Sequence, residues 1–306
     1  MAVTTVAKRK GSMERKEAIA FHLFISPWLI GFLVFTLGPM IVSLFLSFTK
    51  YNVSQPPVWV GFENWRRAFT EDPLFYHSYK VTFTYAFTSV PLQLILGLIV
   101  ALLLNANIPA ISFWRTLYYI PSVLSGVAVA VLWRLVFHPT SGILNTVLAI
   151  FGIKGPGWIY DPEWALEALI IMSLWGIGGG MVIYLSALQG VPTALYEAAT
   201  LDGAGRWRKF WNITLPMITP VLFFNLVMGV IHAMEAFTSA FVMTVGGPQN
   251  ATLFIGLRIY FSAFRDVIMG YASTLAWSLF IVIMLLTLLI IRSSSFWVYY
   301  EGAVKR

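Results

Sequence analysis

Apolar residues along this 306-residue chain come in long runs, not in the stripes of a soluble amphipathic helix or the alternation of a β-barrel strand. Six runs stand out, at residues 21–48, 81–104, 117–137, 165–188, 217–245 and 271–291. Each has roughly the 20 residues a helix needs to cross about 30 Å of hydrocarbon. Lipid offers the backbone no water to bond, so helices are the expected spanning structure. The pattern predicts an all-α integral membrane protein with six transmembrane helices. The first run is too long for a signal peptide and lacks a small-residue cleavage site, so it is expected to remain as a span. The chain then divides into an N-terminal tail (1–20), a six-helix bundle (21–291) and a C-terminal tail (292–306).

Composition agrees: 58% of residues are hydrophobic and only 11% charged, against about 25% charged in soluble domains. The formal charge of +7 fits contact with anionic headgroups. It does not suggest nucleic acid, because no basic domain with interleaved aromatics is present. Cysteine is absent, which removes disulfides, thiolate metal sites and thiol nucleophiles.

Basic residues orient the bundle. With the N-terminus inside, Lys8, Arg9, Lys10, Arg15, Lys16, Arg115, Arg206, Arg208, Lys209, Arg292, Lys305 and Arg306 are cytoplasmic. Lys50, Arg66, Arg67, Lys80, Arg134, Lys154, Arg258 and Arg265 are outside. Both termini then lie in the cytoplasm. Trp28, Trp133, Trp164, Trp297, Tyr299 and Tyr300 sit near span ends, where interfacial anchoring is the default role.

One cytoplasmic loop, residues 191–216, is unlike a polar connector. Thr193 is a candidate N-cap for a short helix ending at Leu201. Asp202-Gly203 is a turn signal, because glycine tolerates positive φ. A second short helix is predicted over residues 204–211, with Pro216 opening the next span. Leu195, Ala198, Ala199 and Leu201 give the first helix apolar surface. Pattern alone leaves docking on another protein and rest on lipid equally open.

Glu197-Ala198-Ala199, Asp202-Gly203-Ala204, Ile213 and Leu215-Pro216 resemble, at the usual spacing, the EAA loop of ABC importer permeases. Leu185 to Gln189, the Thr244 to Thr252 segment, Gly270-Tyr271-Ala272 and the closing Trp297 to Glu301 are similar to the binding-protein-dependent carbohydrate family. The likeness is strongest to the maltose, lactose and glycerol-phosphate subgroup, and there to the first of its paired permeases. This resemblance implies a type I importer transmembrane domain with a cytoplasmic coupling-helix loop. It also implies a prokaryotic cell-membrane location, a second permease subunit, two ATPase subunits and an extracytoplasmic solute-binding protein. On the same resemblance Glu197 makes the polar contact to the ATPase, Ala198 and Ala199 allow close approach, and Gly203 provides the bend. Asp202, Ala204, Leu215 and Pro216 complete the coupling set, with Arg206 and Arg208 as weaker candidates.

The chain lacks a G-x-x-x-x-G-K-[ST] phosphate loop, so ATP and Mg are expected at the partner ATPase and no cofactor on this chain. It is expected to be a non-catalytic subunit. Gly176 and Gly180 read as a close helix-packing pair. His22, His77, His138 and His232 are scattered, and no metal site is expected.

Ionisable residues inside a membrane are costly and favour interior cavities. Asn225, Met228, His232, Glu235 and Ser239 are predicted to fall on one face of the fifth span. They are candidates for the solute path, with Trp175, Tyr184 and Trp277 as ring-stacking aromatics. The solute expected from the resemblance is a sugar or oligosaccharide, neutral by preference, moved inward. The alternative is an ion-coupled secondary sugar transporter, which would leave the loop unexplained.

Overall fold

Helices account for nearly all of the apolar sequence, as backbone satisfaction in lipid demands. The computed structural model describes residues 10–106 and 108–299. Lys8, Arg9, Tyr300, Glu301, Lys305 and Arg306 lie outside the described residues. Among the described residues, four helices are long and apolar enough to cross a membrane: Glu14–Ser47, Pro73–Leu104, Arg206–Met243 and Met269–Trp297. Two bent pairs pass the same test together, giving up to six spans if each pair counts as one.

The first rod comprises α1 (Lys10–Phe32), a π-helical turn and α2 (Gly38–Ser47). The turn lies just before Pro39, whose ring displaces the carbonyl four residues back. A two-stranded ribbon, β1 (Thr49–Lys50) and β2 (Val58–Trp59), and α3 (Glu63–Thr70) lead into α4 (Pro73–Leu104). Asp72 caps α4 by accepting the Leu74 amide. The third predicted span is not one helix. α5 (Ile111–Val123) and α6 (Gly126–Val136) meet at 100° just beyond Pro121. α7 (Ile143–Ile150) follows, and then the fourth span divides into α8 (Ala165–Leu174) and α9 (Gly178–Gln189), bent by 40°. α10 (Thr193–Leu201) and α11 (Arg206–Lys209) form the loop before α12 (Leu215–Met234). α13 (Thr238–Met243), α14 (Ile255–Tyr260) and α15 (Met269–Trp297) close the chain. α15 runs past residue 291 to Trp297, and α1 begins before residue 21, at Lys10.

Apolar burial falls in two layers. The larger packs Phe75, Tyr79 and Tyr85 of α4 against Leu169, Phe254, Leu257, Tyr271 and Leu275. The smaller joins the other end of α4 (Ala101, Leu104) to Met181, Tyr184, Leu188 and Ile218. Gly178, not the Gly176/Gly180 pair, makes the close helix approach. A Cβ on Gly178 would collide with the Tyr118 carbonyl oxygen of α5, whereas one on Gly176 or Gly180 would meet nothing nearer than 3.6 Å.

A polar clamp ties three elements at the α4 N-terminus. Asp72 accepts from Arg258 (2.9 Å) and from the Tyr271 hydroxyl (2.6 Å), and Arg258 also faces Asp266 at 3.7 Å. The Arg67 guanidinium lies over the Tyr271 ring at 4.5 Å. Burial alone would push the Asp72 carboxyl up. The hydrogen bonds from Tyr271 and Arg258, the Arg258 charge and the Leu74 amide outweigh it and hold the group below its ordinary 3.8. A depressed carboxylate stabilises the fold above its unfolded pKa and loses that contribution as pH falls through the folded value. Asp72→Asn should therefore lower thermal stability at neutral pH by about 2 kcal/mol, because it leaves Arg258 poorly paired. The gap to the unsubstituted protein should close below pH 3.8. Melting curves of both proteins across pH 3 to 7 check it.

Candidate functional site

Polar side chains converge where α4, α5, α8, α9 and α12 leave space between the two apolar layers. Two cavities adjoin there. The first, of about 520 Å³, is lined by Gln93, Tyr184, Asn225, Met228 and His232 over a floor of Gly176, Gly179 and Gly180. The second, of about 460 Å³, is lined by Tyr85, Ser173, Trp175, His232, Glu235 and Ser239. Ser122, Gly176 and His232 belong to both, so the imidazole stands at the junction.

The continuous stripe expected on the fifth span is interrupted. α12 ends at Met234, Glu235 caps it, and α13 starts only at Thr238. The reason is tertiary. Gly256 of α14 lies against the Ala236 carbonyl, where an added Cβ would come to 3.3 Å, and Phe237 turns to stack on Phe241 with ring centroids 5.2 Å apart. The break sorts the stripe. Asn225 and Met228 face the first cavity, Glu235 and Ser239 the second, and His232 both. His232 and Glu235 are exposed, and among the described residues neither makes an ion pair.

Tyr184 is 1% exposed, its ring packed on Gly97. Its hydroxyl faces the Asn225 side-chain amide beside the first cavity. Both residues line the first cavity. Trp175 lines the second cavity with its ring edge-on to Trp133 at 6.0 Å. Trp277 is not brought to these cavities. It packs edge-on to Phe280 at 5.2 Å on α15 and lines neither cavity. Gln93, Tyr85, Ser122 and Ser173 were missed from the sequence. Gln93 donates to Ser173 at 3.0 Å and bridges α4 to α8. A lone glutamine in the apolar 81–104 run was the available signal, by the same cost that singled out His232.

The 191–216 loop is bent as expected but built differently. Pro192, not Thr193, occupies the N-cap of α10, and no side chain caps it. Tyr196 and Ala199 turn inward, Tyr196 bonding Thr214 at 2.9 Å, while Glu197 and Ala198 are exposed. Ala199 thus packs on its own chain and leaves Ala198 as the small residue on the outer face. Gly203 has φ +73°. Its amide bonds the Thr200 carbonyl, and the Ala204 amide bonds Ala199, the paired pattern of a left-handed helix C-terminus. Beyond Gly205 no separate second helix forms. α11 runs through a π-helical turn (Phe210–Thr214) into α12 as one rod, the turn absorbing Pro216. Lys209 Nζ bonds Thr200 Oγ1 at 2.6 Å and ties rod to α10. Ala199, Asp202, Ala204 and Arg208 line a hollow between them, Arg206 is exposed, and Leu215 and Pro216 are half-buried at the base.

Long apolar helices and two bent helix pairs around polar cavities are the features of a membrane component. The chain belongs to the family of binding-protein-dependent transport system inner membrane components, matched over residues 81–300. It is 43% identical over 300 residues to the probable ABC transporter permease protein YesP of Bacillus subtilis (strain 168), covering 97% of each chain. It is 32% identical to the lactose transport system permease protein LacF of Rhizobium radiobacter, covering 92% of this chain and 95% of that one. The fold matches, at TM-score 0.80 and 25% identity, a bacterial ABC transporter involved in the import of the acidic polysaccharide alginate, covering 94% of this chain and 99% of that one.

Proposed function

We propose that this chain is a transmembrane permease subunit of an ATP-driven importer that carries a sugar or oligosaccharide inward across a prokaryotic cell membrane. The observation that carries the reading is the pair of cavities meeting at His232. They offer hydroxyl, amide, imidazole and carboxylate groups beside an aromatic face at Trp175, which suits a polyhydroxylated ring. No Lys or Arg lines either cavity, and the one acid is Glu235, which favours a neutral solute over an acidic one. The lactose-transport relative supports the same class.

Six spans with both termini cytoplasmic follow from counting each bent pair once and from the basic-residue bias. The 191–216 loop then lies in the cytoplasm, where α10 presents Glu197 and Ala198 to an ATPase that holds ATP and Mg. Two ATPases, a second permease and an extracytoplasmic solute-binding protein complete the machine. The rod that joins α11 to α12 transmits movement of the loop directly to Asn225, Met228 and His232.

Replacement of both His232 and Glu235 by alanine should reduce solute uptake and solute-stimulated ATPase activity of the reconstituted complex at least about tenfold. Both residues are exposed, so assembly should survive. Unchanged uptake in that variant would overturn the path.

A further inference from the structure

A glutamine inside an apolar helix is costly in lipid unless its amide is bonded. Gln93 lies half-buried in α4, and its Nε2 donates to Ser173 Oγ at 3.0 Å. Ser173 Oγ in turn donates to the Ile170 carbonyl at 2.7 Å. The Tyr85 hydroxyl, two turns before Gln93 on α4, faces the same serine. A hydroxyl has one donor and two acceptor lone pairs, so this one atom ties α4 to α8. The place of the tie is what matters. Only Leu174 follows Ser173 in α8, and the chain then bends by 40° before α9 opens at Gly178. α4 packs along both α8 and α9. Pro91, two residues before Gln93, takes one backbone bond out of α4. The Gln93–Ser173 bond thus joins a weakened turn of one helix to the edge of a bend in its neighbour.

The same bond stands in the wall between the two cavities. Gln93 lines the first, whereas Ser173, Tyr85 and Trp175 line the second. A glutamine amide has two donors and an acceptor oxygen, and the bond to Ser173 uses one donor. A sugar hydroxyl in the first cavity offers that donor an equivalent acceptor. Single interhelical hydrogen bonds in membranes contribute little, so the exchange is nearly even, whereas an amide left unpaired would not be. We propose that Gln93 is a positioning residue that registers the solute. In the empty path it holds Ser173, and with it the α8–α9 bend. A hydroxyl of a neutral, polyhydroxylated ring takes the place of Ser173 at the amide and frees the bend. The inference rests on the permease reading above and deepens it.

The absence of cysteine makes occupancy of the path readable. Ile183→Cys puts the chain's only thiol on the wall of the first cavity. The permease–ATPase complex in nanodiscs, without a solute-binding protein, is labelled with a maleimide at rising concentrations of lactose or maltose. The concentration that halves the labelling rate measures the affinity of the cavity itself. In that background Gln93→Leu removes the partner of the sugar and should raise this concentration about threefold, the size of one interhelical bond in a membrane. Ser173→Ala removes the competitor and should lower it by a similar factor. ATP hydrolysis without sugar should rise at least about twofold in both variants, because both free the bend. A bond that only holds the helices together would shift both concentrations the same way, and that result would overturn the inference. Opposite shifts with hydrolysis unchanged would overturn the hold on the bend. If the sugars protect the thiol and neither variant alters the concentration, the exchange is wrong and the permease reading stands. If neither sugar protects the thiol of the otherwise unsubstituted complex, the neutral-sugar reading fails with it.

Discussion

Gly203→Val is expected to abolish solute uptake while leaving the chain folded in the membrane. The residue sits at φ +73°, and nothing lies within 4 Å of where a Cβ would be. The penalty is therefore backbone strain and not collision. It is about 1–2 kcal/mol for an ordinary L-residue and more for a β-branched one. The chain escapes that strain by leaving the left-handed region. It then forfeits the Gly203 and Ala204 amide bonds that close α10 and swings α10 relative to the α11–α12 rod. An ATPase that grips α10 would no longer move the rod in register. ATP hydrolysis should persist without solute stimulation, and uptake should fall at least about tenfold. Gly203→Asn is the matched control, because asparagine enters the left-handed region at smaller cost. Parallel uptake and ATPase assays on reconstituted complexes check both. Normal coupling in the valine variant would remove Gly203 from the transmission path.

That bend was legible because Asp-Gly is a local signal with a local cause. The same holds for the apolar runs, whose length alone demands helices in lipid. Features set by tertiary contact were not legible. Residues 230–238 contain neither glycine nor proline, yet the helix stops at Met234, because the backbone of α14 arrives at Gly256 and Phe237 finds partners in Phe241 and Tyr260. The 100° bend after Pro121 had a visible proline but no visible angle. The span ends were blurred for a simpler reason. Hydropathy drops where charge begins, but a helix continues past its last apolar residue, as α15 does to Trp297. At the site, His232, Glu235 and Asn225 were found by the cost of polar groups in lipid. Gln93 obeyed the same rule and was passed over in a long apolar run. Trp277 stands apart from both cavities; an aromatic side chain carries no such cost and so gives no direction.

Two glycines in the first turn of α9, Gly178 and Gly180, separate a packing position from a cavity-facing one. Gly178 faces the Tyr118 carbonyl and admits no side chain. Gly180 faces the first cavity, with only Asn225 Oδ1 near an added Cβ, at 3.8 Å. A leucine at Gly180 would send its branched end into the roughly 520 Å³ space below His232 without forcing α5 and α9 apart. Gly180 lies inside α9, so the exchange should raise local helix stability by up to about 1 kcal/mol. Stability and transport are thereby pulled in opposite directions. Gly180→Leu should melt no lower than the unsubstituted protein, yet its uptake should fall at least about tenfold, because the inner cavity no longer admits a sugar ring. Gly180→Ala fits at ordinary contact distance and should transport nearly normally. Uptake by the leucine variant at the unsubstituted rate, with melting unchanged, would place the solute's route elsewhere than over this glycine floor.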